Sequence, residues 1–215
     1  MTNQTNQPTI QKTGTTTVGI RTKDCVILAA DMKATMGYLA IDLDARKVYP
    51  LTKKIGITIA GGSGDAQTLV RFLRSQAKLF EIERENTITT KALVTFLANI
   101  LSGSRYYPFM VQFIIGGHTG TPALYSMDAV GAVAEVNDYT VTGSGSEFAL
   151  GVMDTQYKST MKKDDAVRLA VSAVTASKKR DVMSGGQSIT VMVIDENGIQ
   201  EMERKDVDKI IASMA

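Results

Sequence analysis

A glycine directly precedes a threonine where the chain changes character, in Gly14-Thr15-Thr16-Thr17-Val18. Residues 1–13 are polar and patternless, whereas the β-branched run predicts a strand from Thr15 onward. Cleavage of the Gly14–Thr15 bond would give Thr15 both a nucleophilic hydroxyl and a basic α-amino group, an arrangement used in nucleophilic catalysis. Taken alone, the run favours the interpretation as an ordinary start of a strand.

Two charged residues interrupt the apolar segments that follow this threonine. Asp31 comes directly after the apolar residues 25–30, and Lys47 lies inside a predicted strand over 46–51. Each has an ordinary interpretation, because an aspartate after a strand is usually solvated and a strand lysine usually lies on the wet face. Both remain candidates for a site with Thr15.

A glycine-rich loop, Gly61-Gly62-Ser63-Gly64, separates a predicted strand from a predicted helix. A phosphate site is disfavoured, because Gln67 stands where a dinucleotide motif needs glycine and no Gly-Lys-Ser/Thr motif is present. Asp65 would also repel phosphate from this helix start. A tight turn remains possible, as does an oxyanion hole built from backbone N–H groups.

Three further polar residues lie next to predicted helix ends. Ser144, in Gly143-Ser144-Gly145, fits either a helix N-cap or a catalytic helper. Asp181 and Ser184 follow the fourth predicted helix, where they would simply end it or contribute to a site. Spacing alone does not assemble these residues into a catalytic centre.

Composition narrows the chemistry. Cys25 is the only cysteine, which excludes an intrachain disulfide and a cysteine-rich zinc site and fits a reducing, cytoplasmic setting. It is interpreted as a small buried hydrophobe. His118 is the only histidine and is interpreted as a surface residue, so the base of a hydrolase is not expected to be histidine. A net charge of +2 gives no indication of nucleic-acid binding, and no run approaches the roughly 20 apolar residues of a membrane span.

The order of predicted elements indicates the fold class. Strands come first, then two helices, strands, two more helices, a hairpin and a short last helix. Residues 32–37 are predicted to be irregular. Because strands and helices do not alternate strictly, we expect an α+β fold rather than a doubly wound parallel sheet. The prediction is a four-layer αββα sandwich of two mainly antiparallel sheets.

The predicted strands cover residues 15–21, 25–30, 38–43, 46–51, 55–60, 110–115, 123–127, 132–136, 139–142, 188–194 and 199–202. The predicted helices cover residues 65–80, 90–101, 147–156, 163–179 and 207–213.

Several segments, in order along the chain, resemble the β subunit of the proteasome core particle, most closely the archaeal type. The matching segments are Gly14-Thr15-Thr16-Thr17-Val18-Gly19-Ile20, Ala60-Gly61-Gly62-Ser63-Gly64-Asp65-Ala66-Gln67, Tyr107-Pro108-Phe109-Met110-Val111-Gln112, Thr142-Gly143-Ser144-Gly145-Ser146, and Lys179-Arg180-Asp181 with Ser184-Gly185-Gly186. The resemblance runs from Gly14 to near the C-terminus. It implies the fold of the N-terminal-nucleophile hydrolases, which is the sandwich predicted above.

The resemblance also implies roles for individual residues. Residues 1–14 would be a removable propeptide and 15–215 a single catalytic domain. Gly14 would be the processing residue, with Thr15 as the nucleophile. Lys47 would be the cation beside it, acting either charged or neutral, and Asp31 would orient Lys47. The implied supporting residues are Ser144, Asp181 and Ser184, and the implied oxyanion donor is the Gly61 N–H. The implied substrate pocket comprises Ala34, Ala45, Tyr49, Ile59 and Ser63, which favours cleavage after large apolar side chains.

The function implied by the resemblance is that of a threonine endopeptidase that degrades unfolded proteins and needs no metal or cofactor. Its expected partners are proteasome α subunits, other β subunits in heptameric rings, and a regulatory ATPase that acts through the α ring. No nucleic-acid or membrane partner is expected. The alternatives are an inactive structural ring subunit, a small-molecule amidase of the same fold and the disfavoured nucleotide binder. An inactive subunit predicts loss of Thr15, Lys47 or the Gly14 junction, and all three are intact.

Overall fold

The computed structural model describes residues 14–214. The predicted propeptide, apart from Gly14, lies outside these residues. The strands are β1 (Thr17–Arg21), β2 (Val26–Asp31), β3 (Ala34–Met36), β4 (Leu39–Asp42), β5 (Val48–Pro50), β6 (Ile55–Gly61), β7 (Val111–His118), β8 (Pro122–Met127), β9 (Val133–Val136), β10 (Tyr139–Thr142), β11 (Ile189–Asp195) and β12 (Gly198–Glu201). The helices are α1 (Ser63–Arg84), α2 (Thr90–Gly103), α3 (Ser146–Gln156), α4 (Lys163–Arg180) and α5 (Arg204–Ala212).

The strands form two five-stranded sheets and one short hairpin. The first sheet has the order β10-β1-β2-β11-β12 and the second has the order β5-β6-β7-β8-β9. Strands β3 and β4 form the separate hairpin. Neighbouring strands in all three units run antiparallel, as the absence of strict strand–helix alternation predicted.

Three buried clusters define the layers. One lies between the two sheets and includes Leu28, Ile114 and Met192. A second joins the first sheet to α3, α4 and α5, and a third joins the second sheet to α1 and α2. Helices therefore cover the outer face of each sheet, and the predicted α+β four-layer sandwich is confirmed.

Apolar periodicity and end signals account for the helices. Helix α1 buries Leu69, Val70, Leu73 and Ala77 on one stripe, which is the helical spacing that the sequence showed. Helix α4 begins with two aspartates and ends with three basic residues, which favours both ends of the helix dipole. Within residues 14–214, none of the helices combines the length and apolarity that crossing a membrane requires.

Two local predictions were wrong. Residues 32–37 were predicted to be irregular, but β3 pairs with β4 across a turn in which Gly37 has a φ of 60°. Short strands with exposed residues carry little apolar alternation, so the pattern hid this one. Lys47 was placed inside a strand, but it immediately precedes β5. Its carbonyl still accepts the Ile59 N–H at 2.9 Å, which fixes its backbone against β6.

Candidate active site

The predicted site residues come from the ends of several elements that meet at one edge of the sandwich. Thr15 and Thr16 lead into β1, and Asp31 is the last residue of the neighbouring β2. The Asp31 N–H donates to the Thr16 carbonyl at 3.1 Å, which extends the pairing of the two strands up to the threonine. The sheet register therefore sets the position of Asp31 relative to Thr15.

Asp31 is completely buried, and one of its carboxylate oxygens is shared by three donors. Oδ1 accepts the Lys47 ammonium at 2.8 Å, the Thr16 N–H at 2.9 Å and the Thr15 hydroxyl at 3.3 Å. The hydroxyl of Thr15 is thus held within a buried ion pair. Hydrogen bonds to an ionised carboxylate are stronger than neutral ones, so this oxygen fixes the mutual geometry of the three residues.

The second carboxylate oxygen of Asp31 binds backbone groups. Oδ2 accepts the Gly185 N–H at 2.8 Å and the Lys33 N–H at 3.2 Å. These bonds attach the loop after α4 to the end of β2. Both oxygens of the buried carboxylate are therefore satisfied, as a buried charge requires.

Lys47 is buried, with 7% of its surface exposed. Burial lowers the pKa of the Lys47 ammonium, whereas the negative charge of Asp31 and the hydrogen bond to it act in the opposite direction. The lowered pKa brings the neutral amine closer to physiological pH, where it can take part in proton transfer.

A second network lies on the amide side of Thr15. The Thr15 N–H donates to the Ser144 hydroxyl at 3.1 Å, and that hydroxyl donates to Asp181 Oδ2 at 2.6 Å. Ser184 donates to the same oxygen at 2.6 Å and bonds the Thr16 hydroxyl at 2.7 Å. The nitrogen that would become the free α-amino group of Thr15 is therefore linked through a hydroxyl to a carboxylate.

The contacts of Ser144 and Asp181 bear on the interpretations that the sequence left open. Gly145, not Ser144, is the N-cap residue of α3, and the Ser144 side chain bonds Thr15 and Asp181 instead. Asp181 is the C-cap residue of α4, and its carboxylate also accepts the two serine hydroxyls.

Gly14 occupies a position that admits no side chain. A Cβ at this residue would lie 1.7 Å from the Met183 Cβ and 2.8 Å from the Ser144 Oγ. Glycine is therefore required before Thr15 chiefly because the side chains of Met183 and Ser144 leave no room for a Cβ. The Gly14 N–H contacts the Thr35 hydroxyl at 3.4 Å.

A cavity of about 300 Å³ opens beside Thr15. Its walls include Gly14, Thr15, Lys47 and Gly61. All five residues of the predicted substrate pocket line this same cavity, namely Ala34, Ala45, Tyr49, Ile59 and Ser63. Seven further lining residues were not predicted from the sequence: Lys33, Thr35, Ile41, Asp42, Arg46, Ala60 and Gln67.

Gly61 ends β6 at the wall of this cavity and has a φ of 99°. A Cβ there would lie 2.2 Å from the Met110 carbonyl oxygen, so glycine is required both by the dihedral angle and by the close approach. The next amide, Gly62 N–H, donates to that Met110 carbonyl at 2.6 Å. Gly62 is therefore already paired, and the Gly61 N–H stays the predicted oxyanion donor.

The structure brings together all the residues that the sequence proposed for the site. It adds contacts from Thr16, Lys33 and Gly185, none of which was predicted. The available signal was that they lie within two residues of Thr15, Asp31 and Ser184 in the sequence. All three donate a backbone N–H to Asp31, and Thr16 also bonds through its hydroxyl. Because any residue type can donate a backbone N–H, residue type gave no indication of these contacts.

The single cysteine and histidine lie away from this cavity. Cys25 is buried, and burial raises the pKa of its thiol, so it is a packing residue rather than a nucleophile. The surface interpretation of His118 was wrong, because the residue ends β7 half-buried with its Nδ1 enclosed. Within residues 14–214, no cluster of three or more histidine, cysteine or acidic side chains has the arrangement of a metal site.

A family model described as proteasome subunit matches residues 11–194 of the chain. The chain belongs to the proteasome subunit family. Proteasome subunit beta 2 of Thermococcus onnurineus is 43% identical over 191 residues, which cover 89% of this chain and 95% of the relative. The proteasome subunit beta of Methanoculleus marisnigri is 46% identical over 189 residues, or 87% and 88% of the two chains. Proteasome subunit beta 1 of Pyrococcus furiosus is 40% identical over 191 residues, or 89% and 97%.

These relatives confirm the family recognised from the sequence and, with it, the function of a threonine endopeptidase of the proteasome core. Membership of the proteasome family also implies assembly with other subunits.

Proposed function

We propose that Thr15 is the nucleophile of this threonine endopeptidase and that it is freed by self-cleavage of the Gly14–Thr15 bond. The observation that carries the proposal is the shared oxygen of Asp31, which holds the Thr15 hydroxyl at 3.3 Å and the Lys47 ammonium at 2.8 Å. A threonine hydroxyl inside a buried ion pair is costly to maintain for structure alone.

In the self-cleavage step, the Thr15 Oγ attacks the Gly14 carbonyl carbon and the hydroxyl proton passes to a nearby base. The carbon–oxygen bond forms, the carbon–nitrogen bond breaks, and the nitrogen leaves as the Thr15 amine. Water then hydrolyses the resulting ester and releases the segment that ends at Gly14. The Ser144 hydroxyl, 3.1 Å from the Thr15 nitrogen, is the group that can pass a proton to it.

In peptide hydrolysis, the same oxygen attacks the substrate carbonyl and forms an ester, and the leaving amine takes the proton. Water then attacks the ester and restores the hydroxyl. The base is either the free α-amino group of Thr15 or Lys47, whose pKa is lowered by burial despite the opposing charge of Asp31. Asp31 orients Lys47, and Asp181, Ser144 and Ser184 position the new terminus. The Gly61 N–H would stabilise the oxyanion.

The cavity beside Thr15 supports the proposed cleavage preference. Ala34, Ala45 and Ile59 present small or apolar surface, and Tyr49 adds an aromatic wall. Such a lining favours a large apolar side chain before the scissile bond. Asp42 and Arg46 at the same cavity give it a polar part as well.

For the assembly, we propose α subunits and further β subunits in seven-membered rings as partners, with a regulatory ATPase acting through the α ring. Unfolded proteins would be the substrates, and the cytoplasm would be the location. These proposals rest on the resemblance of the chain and on the names of its relatives. We further propose residues 1–14 as the removable propeptide and 15–215 as the catalytic domain.

The test is the Thr15→Ala variant, assembled with α subunits and measured by intact mass and by peptide hydrolysis. We expect the bond after Gly14 to stay uncleaved and peptidase activity to be lost, because the attacking oxygen is gone. Thr15→Ser keeps that oxygen and should retain both reactions. Thr155→Ala, on the exposed end of α3, controls for the loss of a threonine hydroxyl elsewhere.

Either of two results would overturn the proposal. One is cleavage or peptidase activity of Thr15→Ala at the level of the unaltered chain. The other is a new N-terminus at a residue other than Thr15 in the assembled, active protein.

A further inference from the structure

Lys33 lies two residues after Asp31 and is half-buried at the wall of the cavity beside Thr15. It has no part in the roles proposed above. A lysine at the edge of a cavity would ordinarily have its ammonium group in water. Its contacts are instead directed inward, to backbone atoms of the loop over residues 182–186, which we term the 182–186 segment.

The ammonium of Lys33 reaches this segment directly. Its Nζ donates to the Val182 carbonyl at 2.7 Å, and its backbone N–H donates to Asp31 Oδ2 at 3.2 Å. The methylene chain lies against Gly185, where a Cβ would be 2.9 Å from the Lys33 Cδ. One residue therefore contacts the carboxylate of the site with its backbone and the 182–186 segment with its side chain.

The 182–186 segment contributes two of the contacts that organise the site. Its Gly185 N–H donates to Asp31 Oδ2 at 2.8 Å, and its Ser184 hydroxyl joins Asp181 to Thr16. The Gly185 carbonyl also accepts the Met32 N–H at 2.9 Å. Because Val182 is two residues from Ser184, a shift of its carbonyl would disturb the contacts on both sides of Thr15.

The charge of Lys33 acts on the same site. The charged groups that face Lys47 are Asp31 at the end of β2, Asp181 at the end of α4 and Lys33. Burial is the main cause of the lowered pKa of Lys47, the two carboxylates oppose it, and the positive charge of Lys33 adds to it. Lys178 also faces Asp31, from α4, and donates to the Ser188 carbonyl at 3.0 Å.

We propose that Lys33 is a positioning residue of the threonine peptidase site, which holds the 182–186 segment against Asp31 and places a second positive charge beside Lys47. The inference rests on the proposed function of Thr15. It predicts that both the hydrogen bond and the charge of Lys33 contribute to turnover. A lysine bound to a single carbonyl needs only one donor, so an arginine can replace it here.

The experiment compares full-length Lys33→Met and Lys33→Arg with the unaltered chain, each assembled with α subunits. Lys23→Met, in the exposed turn between β1 and β2, is the matched control for the loss of a lysine. Intact mass gives the processed fraction, and hydrolysis of a fluorogenic peptide gives kcat and KM per processed chain. The rates are measured between about pH 6 and pH 10, which spans the ordinary pKa of an α-amino group.

For Lys33→Met we expect kcat to fall about 10-fold, the order expected when a hydrogen bond from a charged group is lost. The acid limb of the pH profile should move to higher pH, because loss of a neighbouring positive charge raises the pKa of any base at the site. This direction is the same for Lys47 and for the α-amino group of Thr15. Lys33→Arg should stay within about 2-fold of the unaltered kcat, with its acid limb unchanged.

Lys33→Gln keeps a donor without the charge and serves if the methionine variant does not assemble. Its acid limb should move in the same direction. The inference is overturned if Lys33→Met keeps both kcat and the acid limb of the unaltered chain. It is also overturned if the acid limb of Lys33→Gln stays in place, or if Lys33→Arg loses as much activity as Lys33→Met. An active Thr15→Ala variant would refute the proposed function instead, so the two failures are distinguishable.

Discussion

The two carboxylates near Thr15 are held in contrasting surroundings. Asp31 is completely buried and shares an oxygen with the ammonium of Lys47. Asp181 is half-buried and accepts only neutral donors, the hydroxyls of Ser144 and Ser184 and the Met183 N–H. We refer to the Asp31 region, with Lys47 and Thr16, and to the Asp181 region, with Ser144, Ser184 and Met183.

The difference indicates a division of labour around one residue. The Asp31 region contacts the hydroxyl of Thr15, where a proton leaves during attack. The Asp181 region contacts its nitrogen, where a proton arrives during cleavage. A buried ion pair is intolerant of the loss of one partner, whereas a hydroxyl network near solvent can be repaired by water. Substitutions in the Asp31 region should therefore lower both the free energy of unfolding and turnover, whereas substitutions in the Asp181 region should lower turnover with far less loss of stability.

The largest effect is expected for Lys47→Met. The variant leaves the charge of Asp31 buried without its ammonium, which should lower the free energy of unfolding by about 3–5 kcal/mol. Turnover should fall by about 10³-fold or more, because Lys47 is one of the two groups proposed as the base for Thr15. Chemical denaturation and peptide hydrolysis per processed chain measure the two effects.

The double variant Lys47→Met with Asp31→Asn is the control for the buried charge. Removing both charges should recover part of the lost stability and none of the activity. The recovery is incomplete because the amide nitrogen of asparagine would face a backbone N–H donor on either side. If the double variant were no more stable than Lys47→Met alone, the stability of the Asp31 region would not depend on charge compensation.

A smaller loss is expected for Gly14→Ala, which probes the Asp181 region from the side of the propeptide. The new Cβ would lie 1.7 Å from the Met183 Cβ, so residue 14 must shift relative to the Thr15 hydroxyl. A displacement of about 1 Å can lower the rate of an oriented reaction by about 100-fold, and we expect self-cleavage to slow by that factor. A time course of intact mass after assembly measures it.

Met183→Gly removes the atom that Gly14→Ala would meet. Combined with Gly14→Ala, it should restore part of the self-cleavage rate, because the remaining contact is the one with the Ser144 Oγ at 2.8 Å. Equal rates for the single and double variants would show that Met183 does not impose the need for glycine.

Asp181→Asn should have the next largest effect. The carboxylate accepts two hydroxyls at Oδ2 and the Met183 N–H at Oδ1, so an amide nitrogen on either side would face a donor. We expect turnover to fall about 10-fold, with far less loss of stability than in Lys47→Met, because no buried ion is left unpaired. A loss of stability equal to that of Lys47→Met would contradict the contrast between the two regions.

The fold followed from the sequence because apolar periodicity and glycine-rich turns marked most elements. Helix α2 was predicted over 90–101 and extends to Gly103, and β10 covers the predicted residues 139–142. The two wrong predictions of strands have the same cause. Strand β3 and the residues just before β5 owe their positions to partners that are distant or exposed, so the local pattern did not indicate them.

The site residues depended on recognition of the family rather than on spacing. Asp31 and Lys47 are 16 residues apart, and Asp181 is 37 residues from Ser144, so no short motif joins them. Tertiary pairing of β1 with β2 brings Thr15 to Asp31. Contacts through backbone N–H groups, such as that of Gly185, were invisible because any residue type can make them.

The smallest predicted effect is a shift of the pH profile, and its sign separates the charges around the site. The negative charge of Asp181 raises the pKa of Lys47, in opposition to the dominant effect of burial. Asp181→Asn should therefore lower that pKa further and move the acid limb of turnover to lower pH, since the base then loses its proton earlier. Loss of the positive charge in Lys33→Met should move the limb the opposite way. Rates per processed chain over the same pH range test both signs, and a common direction in the two variants would mean that at least one of the two charges does not act on the base.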